Sequence, residues 1–281
     1  MLTEQVCLEC IKKTADRAID RLKKNEIRKE NILNSIKLFL DKVDKKYSPI
    51  EINFEVFNLI SSLSEIYDPL KELKEQANLN ANQVLPYIKE EEKKSEDILF
   101  SLIKASVAGN IIDFSIDKDV NLLSTLKKVL NSSFAINDYD LFLEKLQITK
   151  KIQLLTDNAG EIIFDLELLS FLQKRFNKKI VIITKRFPFS NDITLKEVKR
   201  LIKKVELKGK IISINNKKYR SYKKKIKKKL DSKAVVISKG QGNYELLSDE
   251  KLNIFFLLMV KCPVIAKKIV CNVGDVVFFQ K

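Results

Sequence analysis

The chain is predicted to be an α/β protein, with an N-terminal helical bundle packed on a Rossmann-like three-layer domain whose sheet is mostly parallel. Three observations predict this. Up to about residue 95, apolar positions recur at helical spacing and almost nothing reads as strand. Beyond that point, short apolar runs alternate with helical patterns. Those runs are apolar at consecutive positions, as in strands buried on both faces by covering helices.

In the first segment, "ENILNSIKLFLDKV" places Ile32, Ile36, Leu38 and Phe39 at helical spacing. "PLKELKEQANLNANQVLPYIKEEEKKSEDILFSLIKA" continues in the same style, with breaks expected near Pro69 and Pro86. No solenoid repeat is visible. The expected division is a helical subdomain over 1–95 and an α/β domain over 96–281, with the boundary between 90 and 115. "SLIKASVAGNIIDF" suits either part. Strands are expected at 151–156, 179–184, 209–214, 234–238 and 254–260, and helices at 160–176, 194–204 and 219–230. The terminal "GDVVFFQK" reads as a closing edge strand.

Composition excludes several function classes. At 281 residues, with 45% hydrophobic and 32% charged residues, the chain matches an ordinary globular protein of one large or two smaller domains. The longest apolar run, 254–260, is too short to span a membrane, and no secretory signal is visible, so a cytoplasmic location without membrane partners is expected. The net charge of +16 comes mostly from lysine in a chain also rich in Ile and Asn. It reads as compositional bias rather than as a nucleic-acid surface. The chain has no histidine, which removes imidazole bases, triads and metal ligands. Of the four cysteines, Cys7 and Cys10 form one CxxC on a helical pattern, with no second close pair to complete a zinc site. Buried structural thiols are the expectation; proximity to a pocket and a metal or redox centre are the alternatives.

Three expected strands end in polar motifs. "KIQLLT" runs into Asp157-Asn158, "KIVIIT" leads to Asn191-Asp192-Ile193-Thr194, and "AVVIS" runs into "KGQGNYE", Lys239 to Glu245. Each alone has a plain reading as a cap or a glycine-rich turn. If the strands are parallel neighbours, however, their C-terminal ends converge, and Asp157, Asn158, Asp192 and Lys239 share one crevice. Two carboxylates and an amide oxygen make a hard site suited to Mg²⁺ or Mn²⁺. A lysine, backbone N–H groups and the helix starting near Gly160 suit a phosphate.

"CLEC", "AGNIIDF", "DNAGEIIFD", "NDIT", "SKGQGNYE" and "LLMVKCPVIA" occur in the order found in the damage-control phosphatases, and the chain resembles that family over nearly its whole length. The likeness is to the compact archaeal and bacterial branch with an N-terminal CxxC. The resemblance implies a divalent metal, Mg²⁺ or Mn²⁺ with Co²⁺ or Ni²⁺ as alternatives, held by Asp157, Asn158 and Asp192. It implies catalysis by these residues with Lys239, and substrate binding by Asn110, Lys239, Gly240, Asn243 and Glu245. Asp113 and Glu245 are candidates for supporting or proton-handling roles, and no general base is identified. The implied reaction is hydrolysis of small phosphate monoesters, such as sugar phosphates or damaged phosphometabolites; the partner is then a small phosphorylated metabolite. Two other readings are a non-catalytic binder of an anionic metabolite or RNA, and a protein carboxyl methyltransferase. The latter lacks any glycine-rich S-adenosylmethionine fingerprint.

The sequence departs from the family pattern in two places. "KRFPFS" carries two phenylalanines before Asn191, and "NNKKYRSYKKKIKKKLD" replaces an expected glycine-containing loop. Both bear on substrate shape. The lysine-rich stretch spaces Tyr219, Tyr222, Ile226 and Leu230 as a surface helix does, with a polyanion-docking patch as the alternative.

Overall fold

The apolar runs form the strands of one seven-stranded sheet. A computed structural model describes residues 3–109, 122–250 and 252–281. The strands are β1 (Ile136–Asn137), β2 (Lys151–Leu155), β3 (Lys179–Lys185), β4 (Gly209–Ile214), β5 (Val235–Lys239), β6 (Ile254–Met259) and β7 (Val276–Gln280), in the order β1-β7-β6-β5-β2-β3-β4. All neighbours are parallel except β6 and β7. The central strands β2 and β5 are buried on both faces; β5 is accordingly apolar at consecutive positions, whereas β2 buries the polar Gln153 within its run. β7 is not the edge strand that its position at the chain end suggested. The two-residue β1 pairs outside it, too short to leave a periodic signal.

The described residues also form twelve α-helices. Those before the first long strand are α1 (Gln5–Asp20), α2 (Glu26–Lys42), α3 (Pro49–Ser64), α4 (Lys71–Lys94), α5 (Ile98–Ala108), α6 (Leu122–Asn131) and α7 (Tyr139–Ile148). The crossovers carry α8 (Glu161–Phe176), α9 (Leu195–Leu201), α10 (Tyr219–Lys227), α11 (Gln241–Leu247) and α12 (Pro263–Ile269). Local chemistry sets several starts. Asn25, Ser48 and Asp97 accept from the third residue of α2, α3 and α5, and Thr194 and Glu197 form a capping box on α9. The break expected at Pro86 does not occur: α4 runs through it. One lost backbone hydrogen bond is outweighed by a continuous face, including Ala77, Ala81 and Ile88, packed on the core.

The two faces of the sheet bury separate apolar cores. On one, Ile152 and Leu154 meet residues of α4 to α9; on the other, Leu155, Val181 and Ile183 meet residues of α1 to α3 and α10 to α12. The protein is therefore three-layered, with α1, α2 and α3 packed together as a small bundle on one face. "IFFLLMV" is a buried sheet strand, and no helix among the described residues is long and apolar enough to cross a membrane.

Connectivity places the site. From β2 the chain proceeds outward to β3 and β4, and then returns to place β5 on the other side of β2 before building outward again to β6 and β7. The direction of winding thus reverses between β2 and β5. At such a switch point the connections leave the strand ends in opposite directions and open a crevice.

Candidate active site

The loops after β2, β3 and β5 meet in that crevice. Thr156 N–H continues the ladder to the Ile183 carbonyl, and Asn158 then bridges to Asp192. Ile193 N–H donates to the Asp157 carbonyl at 2.9 Å and Ala159 N–H to the Asn191 carbonyl at 3.0 Å. Two loops more than thirty residues apart are thereby laced through their backbones. Gly240 completes the junction with φ +77°: a Cβ there would lie 1.8 Å from Asp157 Oδ2. The Asp157 carboxylate rests directly against the glycine backbone, at a distance no side chain allows.

Asp157, Asn158, Asn191, Asp192 and Asn243 line a cavity of about 360 Å³, joined by Lys185 and Lys261. Helices α1 and α3 close it from above with Cys7, Ile11, Ile50, Asn53 and Phe54. Its electrostatics follow from burial. Burial, then Asp192, then Glu161 raise the Asp157 carboxyl well above the usual carboxylate range, partly offset by Lys185 and Lys261. Asp192 is also raised by burial, with Lys185 opposing the shift. Burial alone would lower Lys185, but Asp192, Tyr222 and Asp157 more than compensate and raise it. The Lys185 ammonium pairs with Asp192 Oδ2 and lies over the rings of Phe189 and Tyr222.

Lys185 was missed in the sequence. Its signal was available: it ends β3 as Lys239 ends β5, so the positional argument that selected one selects the other. Lys239 itself does not line the cavity. Its side chain leaves the sheet on the α5 and α8 face, fully buried. There the ammonium donates to Ser106 O (2.8 Å) and Ser106 Oγ (2.6 Å) and pairs with Glu161 and Asp165, each at 2.8 Å. All its donors are used, so direct contact with a substrate phosphate does not fit this arrangement. Lys239 instead anchors the first turn of α8 beneath Asn158.

Of the other expected substrate residues, Asn243 lines the cavity but spends its amide nitrogen on the Thr156 and Lys239 carbonyls, at 3.0 and 2.8 Å. Gly240 supports Asp157. Glu245 lines the cavity, and burial pushes its carboxyl up to about 7 against bonds from the Gln241 side chain and the Ile50 amide. Asn110 and Asp113 lie outside the described residues. The preceding Gly109 packs against Glu161 and Phe164. The CxxC faces the same cavity: Cys7 is buried and Cys10 exposed, and both line it with Cys262, all as free thiols.

The two departures from the family pattern meet at one place. Phe189 stacks on Phe54 with ring centroids 3.9 Å apart, and Tyr219 and Tyr222 of α10 approach the same Phe54 ring at 5.5 and 5.6 Å. The unusual segments thus build an aromatic wall that ties α3 to the sheet. In α10 the tyrosines and Ile226 are buried and the lysines face outward, as a surface helix requires.

Among the described residues no group of three Asp, Glu, Cys or His side chains is arranged to hold a metal. A site here would need the Asn158 amide as well. That amide donates its nitrogen to Asp157 Oδ2 at 3.0 Å, so the oxygen is the atom Asn158 has for a cation. Two carboxylates raised by burial, with Asp192 raising Asp157 further, and one amide oxygen fit a hard divalent ion, which would offset that unfavourable charge.

The chain is similar to known proteins over most of its length. The chain is 27% identical to a damage-control phosphatase of Pyrococcus horikoshii, over 99% of this chain and 97% of the relative. A damage-control phosphatase of Archaeoglobus fulgidus is 30% identical over 86% of each chain, and an uncharacterized protein of Methanocaldococcus jannaschii is 29% identical over 98% and 94%. The crystal structure of a DUF89 family protein from Pyrococcus horikoshii superposes with a TM-score of 0.87 at 26% identity, covering 100% of this chain and 99% of that one. Residues 3–277 match the damage-control phosphatase ARMT1-like domain, and the chain belongs to that family.

Proposed function

We propose that this protein is a metal-dependent phosphatase acting on small phosphate monoesters. Its relatives support a phosphatase role. The observation that carries the finer reading is the convergence of Asp157, Asn158 and Asp192, the last two each 5% exposed, at a sheet switch point beside Lys185 and Lys261. Asp157, Asn158 and Asp192 would hold the metal. A divalent ion supplies Lewis-acid polarisation of a phosphoryl oxygen and a water of lowered pKa.

The chain's own residues do the rest. Lys185 and the more exposed Lys261 line the cavity with positive charge, which a phosphate dianion and its developing charge need. Lys185, paired with Asp192 here, would be available to the phosphate if that carboxylate served a cation. Asn243 and Lys239 hold the β2 and β5 loop ends in place from below. Helices α1 and α3 cover the site and limit access by bulk water. The enclosed volume suits a small ester rather than a phosphoprotein or nucleic acid.

The test is phosphate release from an aryl phosphate and a sugar-phosphate panel, metal-free and with Mg²⁺, Mn²⁺, Co²⁺ or Ni²⁺. Metal-stimulated turnover should disappear in Asp157→Ala and Asp192→Ala. Folded wild-type protein that binds Mn²⁺ but releases no phosphate with any metal would favour a non-catalytic binder.

A further inference from the structure

Three buried polar atoms in the cavity lining have no hydrogen-bond partner among the described residues: Asn53 Oδ1, Asn191 Nδ2 and Glu245 Oε2. Buried polar atoms are nearly always paired, and leaving one unpaired costs free energy comparable to a lost hydrogen bond. Three on one cavity indicate what the cavity is shaped to receive. Two of them are acceptors and one is a donor.

Their placement separates two ends. Asn191 adjoins Asp192 at the floor. Asn53 belongs to the early turns of α3, and Glu245 lies beneath them. The Glu245 carboxylate accepts from the Ile50 amide there, and Ile50 and Asn53, three residues apart, share one face of that helix. The two orphaned oxygens therefore belong to the same end of the cavity, roughly one helical turn apart. Between and around them the lining is apolar, from Ile50, Phe54, Leu246 and Val264.

We infer that Asn53 and Glu245 are specificity-determining residues, accepting hydrogen bonds from two hydroxyls on the phosphate-free body of the substrate. The carbon skeleton of that body lies against the apolar wall, and its phosphate lies at the Asp157, Asn158 and Asp192 floor. Water alone would satisfy the same oxygens less selectively. A hydroxyl donor is what distinguishes a polyol monophosphate from an aryl phosphate, and a body bearing its own carboxylate would meet the ionised form of Glu245 and be disfavoured. Helix α3, outside the sheet domain, thereby reads the substrate. The inference rests on the phosphatase reading.

The experiment compares kcat/KM for a linear polyol monophosphate with that for an aryl phosphate lacking hydroxyls. It uses wild type, Asn53→Leu, Glu245→Leu and the more conservative Glu245→Gln. Each leucine variant should lower the polyol-to-aryl ratio by about 10-fold or more, mainly through KM, and Glu245→Gln by less. A phosphonate analogue of the polyol, titrated calorimetrically with Mn²⁺ present, should bind the leucine variants correspondingly more weakly. If wild type hydrolyses both esters and neither the ratio nor phosphonate affinity moves in Asn53→Leu and Glu245→Gln, the inference is overturned. If wild type hydrolyses neither ester, the phosphatase reading fails. Phosphonate affinity then decides separately: weakening in the variants supports the role of Asn53 and Glu245, and no change overturns it.

Discussion

Gly240 offers the sharpest test of how the site is built. In Gly240→Ala the new methyl group would start 1.8 Å from Asp157 Oδ2 and 2.3 Å from Asp157 Cγ. To restore ordinary contact, the carboxylate must retreat by roughly 1.5 Å. Gly240 also sits at φ +77°, where an L-residue costs about 1–2 kcal/mol. Misplacing a ligand by more than 1 Å should cost on the order of 100-fold in Mn²⁺ affinity and in turnover. The stability loss should be about 2 kcal/mol, several degrees in Tm for a chain of this size. Gly274→Ala is the control. Its φ is +96°, yet a Cβ there meets nothing within 4 Å, so it carries the conformational cost alone. Calorimetric Mn²⁺ titration and aryl-phosphate turnover, read beside thermal melts, separate the two. If Gly240→Ala binds Mn²⁺ and turns over like Gly274→Ala, Asp157 does not hold the metal in the position it occupies here.

Two further outcomes are expected. Lys239→Met should leave Glu161 and Asp165 buried without their cation and lose about 3–5 kcal/mol in denaturant unfolding; wild-type stability with a raised KM would mean that Lys239 contacts the phosphate after all. Glu245, raised from 4.5 to about 7 chiefly by burial, holds its proton more tightly folded than unfolded. Its contribution therefore lowers stability as pH rises between about 4.5 and 7, by at most about 3 kcal/mol, and is flat above that range. The stability difference between Glu245→Gln and wild type should thus grow in the variant's favour across that interval, and a pH-independent difference would refute the assignment.

Much of this protein is legible in its sequence because the signals are local. Consecutive apolar residues at 180–183, 234–237 and 254–260 announce strands buried on both faces, and the polar motifs that follow 151–156, 179–184 and 234–238 announce loops in the crevice of a parallel sheet. The Asp157, Asn158 and Asp192 grouping follows from that rule once the two strands are taken as parallel neighbours, as β2 and β3 are. What the sequence could not express depends on direction and distance. Whether a lysine at a strand end turns toward the cavity or away from it is decided by which sheet face its side chain takes, and Lys185 and Lys239 end on opposite sides for that reason. The two-residue β1 has no period to detect, and Pro86 breaks no helix because tertiary packing outweighs one missing hydrogen bond. Asn53 in α3 and the Phe54 wall acquire their meaning only when α3 closes over loops more than a hundred residues away. Chain chemistry determined which groups are available at the strand ends; the packing of three layers decided which of them face one another.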